Sequence, residues 1–172
     1  MTNEKLKNTC QICGRPIKAK NGLIAHHGYK RPDRGSGWQT ASCPGARYLP
    51  YEISCDCLPP TIEYIKRHIE RVEAKLIDLI DNPPKTLLIQ VGGYYRKTEK
   101  VVTLPETFDP KNPPCCVGMY SYEGKHSDIR RNYEKDIKYS KQDLQYMEDR
   151  LKNWIPPKNW GSKTFITTDN YI

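Results

Sequence analysis

Only two phenylalanines occur in the 172 residues, and the mean hydropathy is -0.80. That scarcity of apolar bulk excludes one large core and predicts small, partly independent modules. No run of eighteen or more apolar residues occurs, so neither a membrane-spanning helix nor a membrane partner is expected. The opening MTNEKLKNTCQICG lacks the apolar middle of a secretory signal. The chain therefore reads as soluble and unexported. Internal repeats and low-complexity runs are also missing.

Acidic residues are scarce at one end. Residues 1 to 48 hold nine basic residues against Glu4 and Asp33, whereas the rest carries 19 basic and 18 acidic residues. Nearly all of the formal net charge of +8 therefore sits on the N-terminal segment. Such a surface attracts a polyanion at moderate salt, so nucleic acid or another acidic partner is expected; the bland alternative is a solvated face kept for solubility.

Seven cysteines are present, an odd number for a disulfide scaffold, and Cys10-x-x-Cys13 has the spacing of a metal knuckle. In a reducing cytosol thiols persist as ligands. A structural zinc ion needs four tetrahedral ligands, and the knuckle, with Gly14 behind it, supplies two from one turn. Cys43, in the second Pro-Gly turn of Ser42-Cys43-Pro44-Gly45, and one of His26 and His27 are the nearby candidates for the other pair. Adjacent residues on a strand face opposite sides, so one histidine serves; His27 is preferred and His26 is the alternative. A thioredoxin-like redox pair would need a βαβ pattern that is missing here. Unliganded buried thiols are the remaining possibility. A second zinc at Cys55, Cys57, Cys115 and Cys116 is not favoured, because Cys-x-Cys and Cys-Cys are poor knuckle spacings. Between knuckle and histidines, Pro16 to Ala25 has room for a short strand carrying Ile17, Leu23 and Ile24.

Lys18, Lys20, Tyr29, Lys30, Arg31, Arg34, Trp38 and Arg47 interleave basic and aromatic groups on this module, a combination suited to phosphates and stacked bases. Tyr29 and Trp38 could equally cover a module too small for its own core. No catalytic residue is expected. A ββα-metal nuclease would use His26 or His27 as base, but its second Cys-x-x-Cys and downstream Asn and His are lacking, and His68 and His126 read as isolated and exposed.

Beyond residue 58 the pattern becomes helical. From about Pro59 to Asp81, residues Ile62, Ile65, Ile69, Val72, Leu76 and Leu79 trace a heptad seam, which Asn82-Pro83-Pro84 stops. Thr86 to Val91 and Lys100 to Leu104 read as a small β-hairpin bent at Gly92-Gly93, with Tyr94 and Tyr95 at its end. Proline-rich residues 105 to 127 predict little regular structure beyond an extended piece at Cys116 to Tyr120. Ser127 is placed as the cap of a second helix, 128 to about 155, with Tyr133, Ile137, Leu144, Met147, Leu151 and Trp154 on its seam and Ser140 at the polar position.

The fold class expected is α+β, mainly α: a zinc-binding β module over 1-58, then an antiparallel coiled-coil helical hairpin over 59-155 with a β insert at about 84-126, then a tail over 156-172. Pairing of each seam with a second copy, giving a homodimer, is the alternative to the hairpin and a monomer. The tail's Trp160, Phe165, Ile166 and Tyr171 are left without an assignment.

The strings CQICGR, LIAHHGY, Arg31-Pro32, Gly37-Trp38-Gln39-Thr40 and SCPGAR, over residues 10 to 58, resemble uncharacterised bacteriophage and bacterial proteins with an N-terminal Cys₃His zinc-finger-like module. The resemblance implies Cys10, Cys13, Cys43 and one of His26 and His27 as zinc ligands. It further implies a phage or mobile-element origin and the host bacterial cytoplasm as working compartment. Two functions fit: an accessory or regulatory protein binding nucleic acid through the basic module, or an inhibitor or modulator of a host polymerase or defence nuclease acting by protein contact.

Overall fold

A computed structural model describes residues 8-31, 41-92, 98-112, 118 and 120-157. Its elements in order are β1 (Ala19–Lys20), β2 (Leu23–Ile24), α1 (Leu58–Asp81), β3 (Thr86–Val91), β4 (Thr98–Thr103) and α2 (Tyr122–Lys152). Two helices and two antiparallel β-hairpins make an α+β chain, mainly α, as the hydropathy pattern predicts. The chain divides into two compact units, residues 1-63 with 145-172, and residues 64-144, so each long helix contributes to both.

In the first unit the β1-β2 hairpin pairs Ala19 with Ile24 and Lys20 with Leu23. Its turn, Asn21-Gly22, has positive φ at both residues (55° and 81°), the geometry that matches a two-residue hairpin to strand twist. Ile17 therefore falls outside the strands: the expected single strand is two short ones, because Asn21-Gly22 reverses the chain within it. Ile24 is buried and Leu23 exposed, as alternation requires. Ile12, Pro50, Leu58 and Met147 are also fully buried. Gln11 is buried and fully used: its Nε2 donates to the Leu49 carbonyl (2.9 Å) and to Asp56 (2.8 Å), and its Oε1 accepts from the Cys57 amide (2.8 Å). Pro59 and Pro60 occupy the first turn of α1, where their missing N–H groups cost nothing.

In the second unit α1 and α2 run antiparallel. As α1 proceeds from His68 to Leu79, its partners on α2 recede from Asp136 (3.1 Å) to His126 (3.1 Å). Ile69, Val72 and Leu79 are buried along α1, whereas the buried positions of α2 include the polar Ser140 and Asp143. The α1 seam thus works as read, while its partner line on α2 includes polar groups. Ser140 tolerates this place by donating to Asp136 (3.3 Å), and Lys141 meets Glu73 at 2.8 Å.

The start of α2 differs from the expectation. It begins at Tyr122, and Ser127 lies inside it rather than capping it. Ser121 is the cap: its Oγ accepts from the Gly124 amide at 3.1 Å. The helix also ends at Lys152, before Trp154, because Pro156 and Pro157 follow. Lengthening at the N-terminal end has a purpose in the packing. The carbonyl of Leu79 would ordinarily bond the amide four residues on, but residue 83 is proline. His126 Nε2 supplies the missing donor, and Tyr122 donates to the Pro84 carbonyl (2.6 Å). Read as isolated and exposed, His126 is in fact wholly buried, with Phe108 edge-on at 4.9 Å.

The β3-β4 hairpin keeps full register from Thr86–Thr103 to Val91–Thr98. Its second strand begins at Thr98, two residues before the expected Lys100. Tyr94, Tyr95 and most of the extended piece expected at 116-120 lie outside the described residues, as do Cys115, Cys116 and the tail from residue 158.

Candidate metal centre

Two turns and the segment after β2 build the site. The knuckle Cys10-Gln11-Ile12-Cys13 closes by Gly14 N–H to the Cys10 carbonyl (3.1 Å) and Cys10 N–H to the Arg15 carbonyl (3.0 Å). Gly14 carries a φ of +67°, which an L side chain rarely adopts. A second turn closes by Ala46 N–H to the Cys43 carbonyl (3.0 Å). There a Cβ on Gly45 would stand 2.5 Å from Cys10 Sγ, so only glycine lets the two turns approach. The segment carrying the histidines leaves β2 and is tied to the second turn by Cys43 N–H to the His27 carbonyl (2.9 Å).

These turns bring the ligand atoms of Cys10, Cys13, His27 and Cys43 within 4.8 Å of one another. Cys10 Sγ and Cys43 Sγ are 3.7 Å apart, and Cys13 Sγ lies 3.4 Å from His27 Nε2. A tetrahedron with Zn–S near 2.3 Å and Zn–N near 2.0 Å has S–S and S–N edges of about 3.8 and 3.5 Å. These two separations match those edges, and the S–S distance is far from the roughly 2.05 Å of a disulfide. The three cysteines are buried and His27 half-buried, as a closed structural site requires.

The choice between the histidines follows from their partners. His27 Nδ1 meets the Ala25 carbonyl at 2.8 Å, which fixes the proton on that nitrogen and turns the Nε2 lone pair to the thiols. His26 Nε2 is 2.8 Å from the Ser42 hydroxyl on the exposed side, and His26 is not in the cluster.

Charge is balanced locally. Three thiolates and a neutral imidazole around a Zn²⁺ ion would leave a net charge of about -1. Arg15 answers it, with Nε 3.5 Å from Cys13 Sγ and a second bond to the Gly28 carbonyl. Without metal, hydrogen bonds from the Cys10 and Cys43 thiols hold Cys13 well below the ordinary thiol range. The same sharing holds Cys10 and Cys43 above it, Cys10 through Cys13 foremost and Cys43 through Cys10. A Zn²⁺ ion would be held by the three cysteines as thiolates and would displace their protons.

Cys55 and Cys57 stand outside the cluster. Burial pushes the Cys57 thiol up to about 12, and its sulfur faces the Pro44 carbonyl (3.7 Å) and Thr61 (3.8 Å), the surroundings of an inert core thiol. Among the basic and aromatic candidates, Lys18, Lys20 and Arg47 are exposed, and Lys30, Arg31 and Tyr29 are half-buried. Arg34 and Trp38 lie outside the described residues.

Sequence reasoning missed the outer support of the knuckle. Arg150, near the end of α2, donates to the carbonyls of Gln11 (3.0 Å) and Cys10 (3.2 Å). Its guanidinium lies 3.8 Å over the Tyr51 ring. No spacing rule links positions 140 residues apart; an arginine on the helical seam flank was the only available signal.

Compared with protein-family models, curated proteins and solved structures, the chain matches none. No helix among the described residues is long and apolar enough to cross a membrane.

Proposed function

We propose that this chain is a structural-zinc protein whose basic N-terminal module binds nucleic acid as an accessory or regulatory factor, with no catalytic activity of its own. The observation that carries the metal half is the Cys₃His cluster, whose edges fit Zn²⁺ with no position left open for substrate. A closed four-ligand site organises a surface rather than activates water. The nucleic-acid half is supported by charge: residues 1 to 48 hold nine basic residues against two acidic ones, with Lys18, Lys20 and Arg47 exposed. A phage or mobile-element origin and action in a bacterial host cytoplasm go with this reading through the resemblance of residues 10 to 58.

The test is zinc content of the purified chain, followed by binding of labelled single- and double-stranded DNA and RNA across salt. One zinc per chain is expected, with affinity falling steeply as salt rises. Zinc without binding to any nucleic acid at low salt would leave the metal centre standing and remove the nucleic-acid role.

A second reading, modulation of a host enzyme by protein contact, is favoured by one observation. Leu88 and Val101 pair across β3 and β4 and are both more than half exposed (51% and 58%). Capture of a host polymerase or nuclease that survives nuclease treatment, and is lost in Leu88→Ser with Val101→Ser, would favour it over the first.

A further inference from the structure

The outer face of the Cys10 knuckle is held by one side chain. Arg150 Nε and Nη2 span consecutive carbonyls, those of Gln11 and Cys10, at 3.0 and 3.2 Å, and Nη1 reaches the Tyr146 hydroxyl at 3.3 Å. Its guanidinium is stacked on Tyr51, and the Tyr51 hydroxyl returns a hydrogen bond to the Arg150 carbonyl at 2.5 Å. Trp154 Nε1 donates to the Tyr51 carbonyl (2.8 Å), and the Tyr51 amide to the Thr9 carbonyl (2.8 Å), so the clasp closes on the residue preceding Cys10. The Gly14 position lies against the Tyr146 hydroxyl, leaving no room there for a side chain.

These contacts do more than cover the module. The two carbonyls that Arg150 engages belong to the peptide planes directly after Cys10 and after Gln11. Fixing those planes fixes the direction in which Cys10 enters the ligand set. A planar fork holds both carbonyls with two parallel donors in fixed geometry, whereas an ammonium offers its donors from a single freely rotating nitrogen. Partners of this kind behind metal ligands alter affinity by about 10-100-fold when removed.

Resting on the assignment of Cys10, Cys13, His27 and Cys43 as zinc ligands, we infer that Arg150 is a positioning residue for the metal centre, and that zinc occupancy and docking of the last two turns of α2 are reciprocally coupled through it. Zinc gathers the knuckle into the shape whose carbonyls accept Arg150, and a docked Arg150 presents that shape to zinc. Linkage makes the two effects equal in free energy.

The experiment uses the full chain with Arg150→Met, which keeps the apolar stem, and Arg150→Lys. Zinc affinity by chelator competition should fall about 10-100-fold in R150M and by less in R150K. The cobalt-substituted R150M should also show displaced d-d bands, a change that loss of stability alone does not produce. A folded R150M that binds zinc within about twofold of wild type, with an unaltered cobalt spectrum, would overturn the inference. Should R150M not fold, the wild-type chain decides by hydrogen exchange. Chelation should expose the amides of residues 146-152 while those of 126-140 keep their protection, and unchanged protection at 146-152 refutes the coupling. A wild-type chain that holds no zinc would be recognised at the first measurement and would remove the ligand assignment and the inference together.

Discussion

The two units solve one problem by different means. Residues 64-144 form a helix pair with a buried line of Ile69, Val72 and Leu79, each side chain contributing about 1.5-3 kcal/mol when fully buried. The unit of residues 8-63 with 145-157 buries Ile12, Ile24, Leu58, Ile62 and Met147 and adds turns whose thiols converge on one point, with Gln11 and Arg150 tying up its carbonyls. Apolar burial is non-directional. Ligand convergence fixes distance and angle together, and the first unit accordingly carries a glycine at the closest approach, Gly45, and a cysteine or histidine at each corner.

The largest expected effect separates the units outright. Cys13→Ser, or a strong chelator, should abolish the fold of the first unit, since structural zinc supplies on the order of 10 kcal/mol or more. The helical signal of residues 64-144 should persist. Circular dichroism with zinc quantitation reads both, and unaltered zinc content in the Ser variant would rule out the ligand set. Acid should act in the same direction: protons compete with zinc for the three thiolates, so zinc affinity should fall as pH drops, measurable with a zinc indicator.

Next comes alkaline stability. Cys57 keeps its proton in the folded chain up to about 12, against an ordinary value near 9, because burial penalises the thiolate. The unfolded chain releases that proton first, so this one contribution to stability is full below about pH 9 and is lost as pH rises through 12, by on the order of 4 kcal/mol. Denaturant midpoints of Cys57→Ala should lose that part of the pH slope.

A smaller effect belongs to the second unit. His126→Leu leaves the Leu79 carbonyl without a donor beside Pro83 and should cost about 2-3 kcal/mol, with zinc affinity unaltered. Thermal unfolding against zinc titration would show whether the units respond independently. Smallest of all, His68→Gln loses a half-exposed contact with Asp136 and should shift stability by less than about 1 kcal/mol.

The heptad seam of α1 was legible because burial repeats at helical period within one segment, and Pro83 with Pro84 marked its end chemically. On α2 the same reasoning placed Ser127 as cap six residues late. A serine can cap only where the preceding chain is free to turn away, and Ser121 met that condition once Tyr122 and His126 were needed at the end of α1. His126 looked isolated since its partners, Leu79 and Phe108, are distant or unremarkable in sequence.

At the metal centre, residue type and short spacing were enough to single out Cys10, Cys13 and Cys43 and to restrict the fourth ligand to two histidines, because thiolate chemistry and knuckle turns are local properties. What spacing left open, tertiary structure decided: His27 rather than His26, through the Ala25 carbonyl on its far nitrogen. Only the folded chain could bring Arg150 to the carbonyls of Cys10 and Gln11, since a hydrogen bond across about 140 residues follows from where two helices lead the chain and not from any pattern along it.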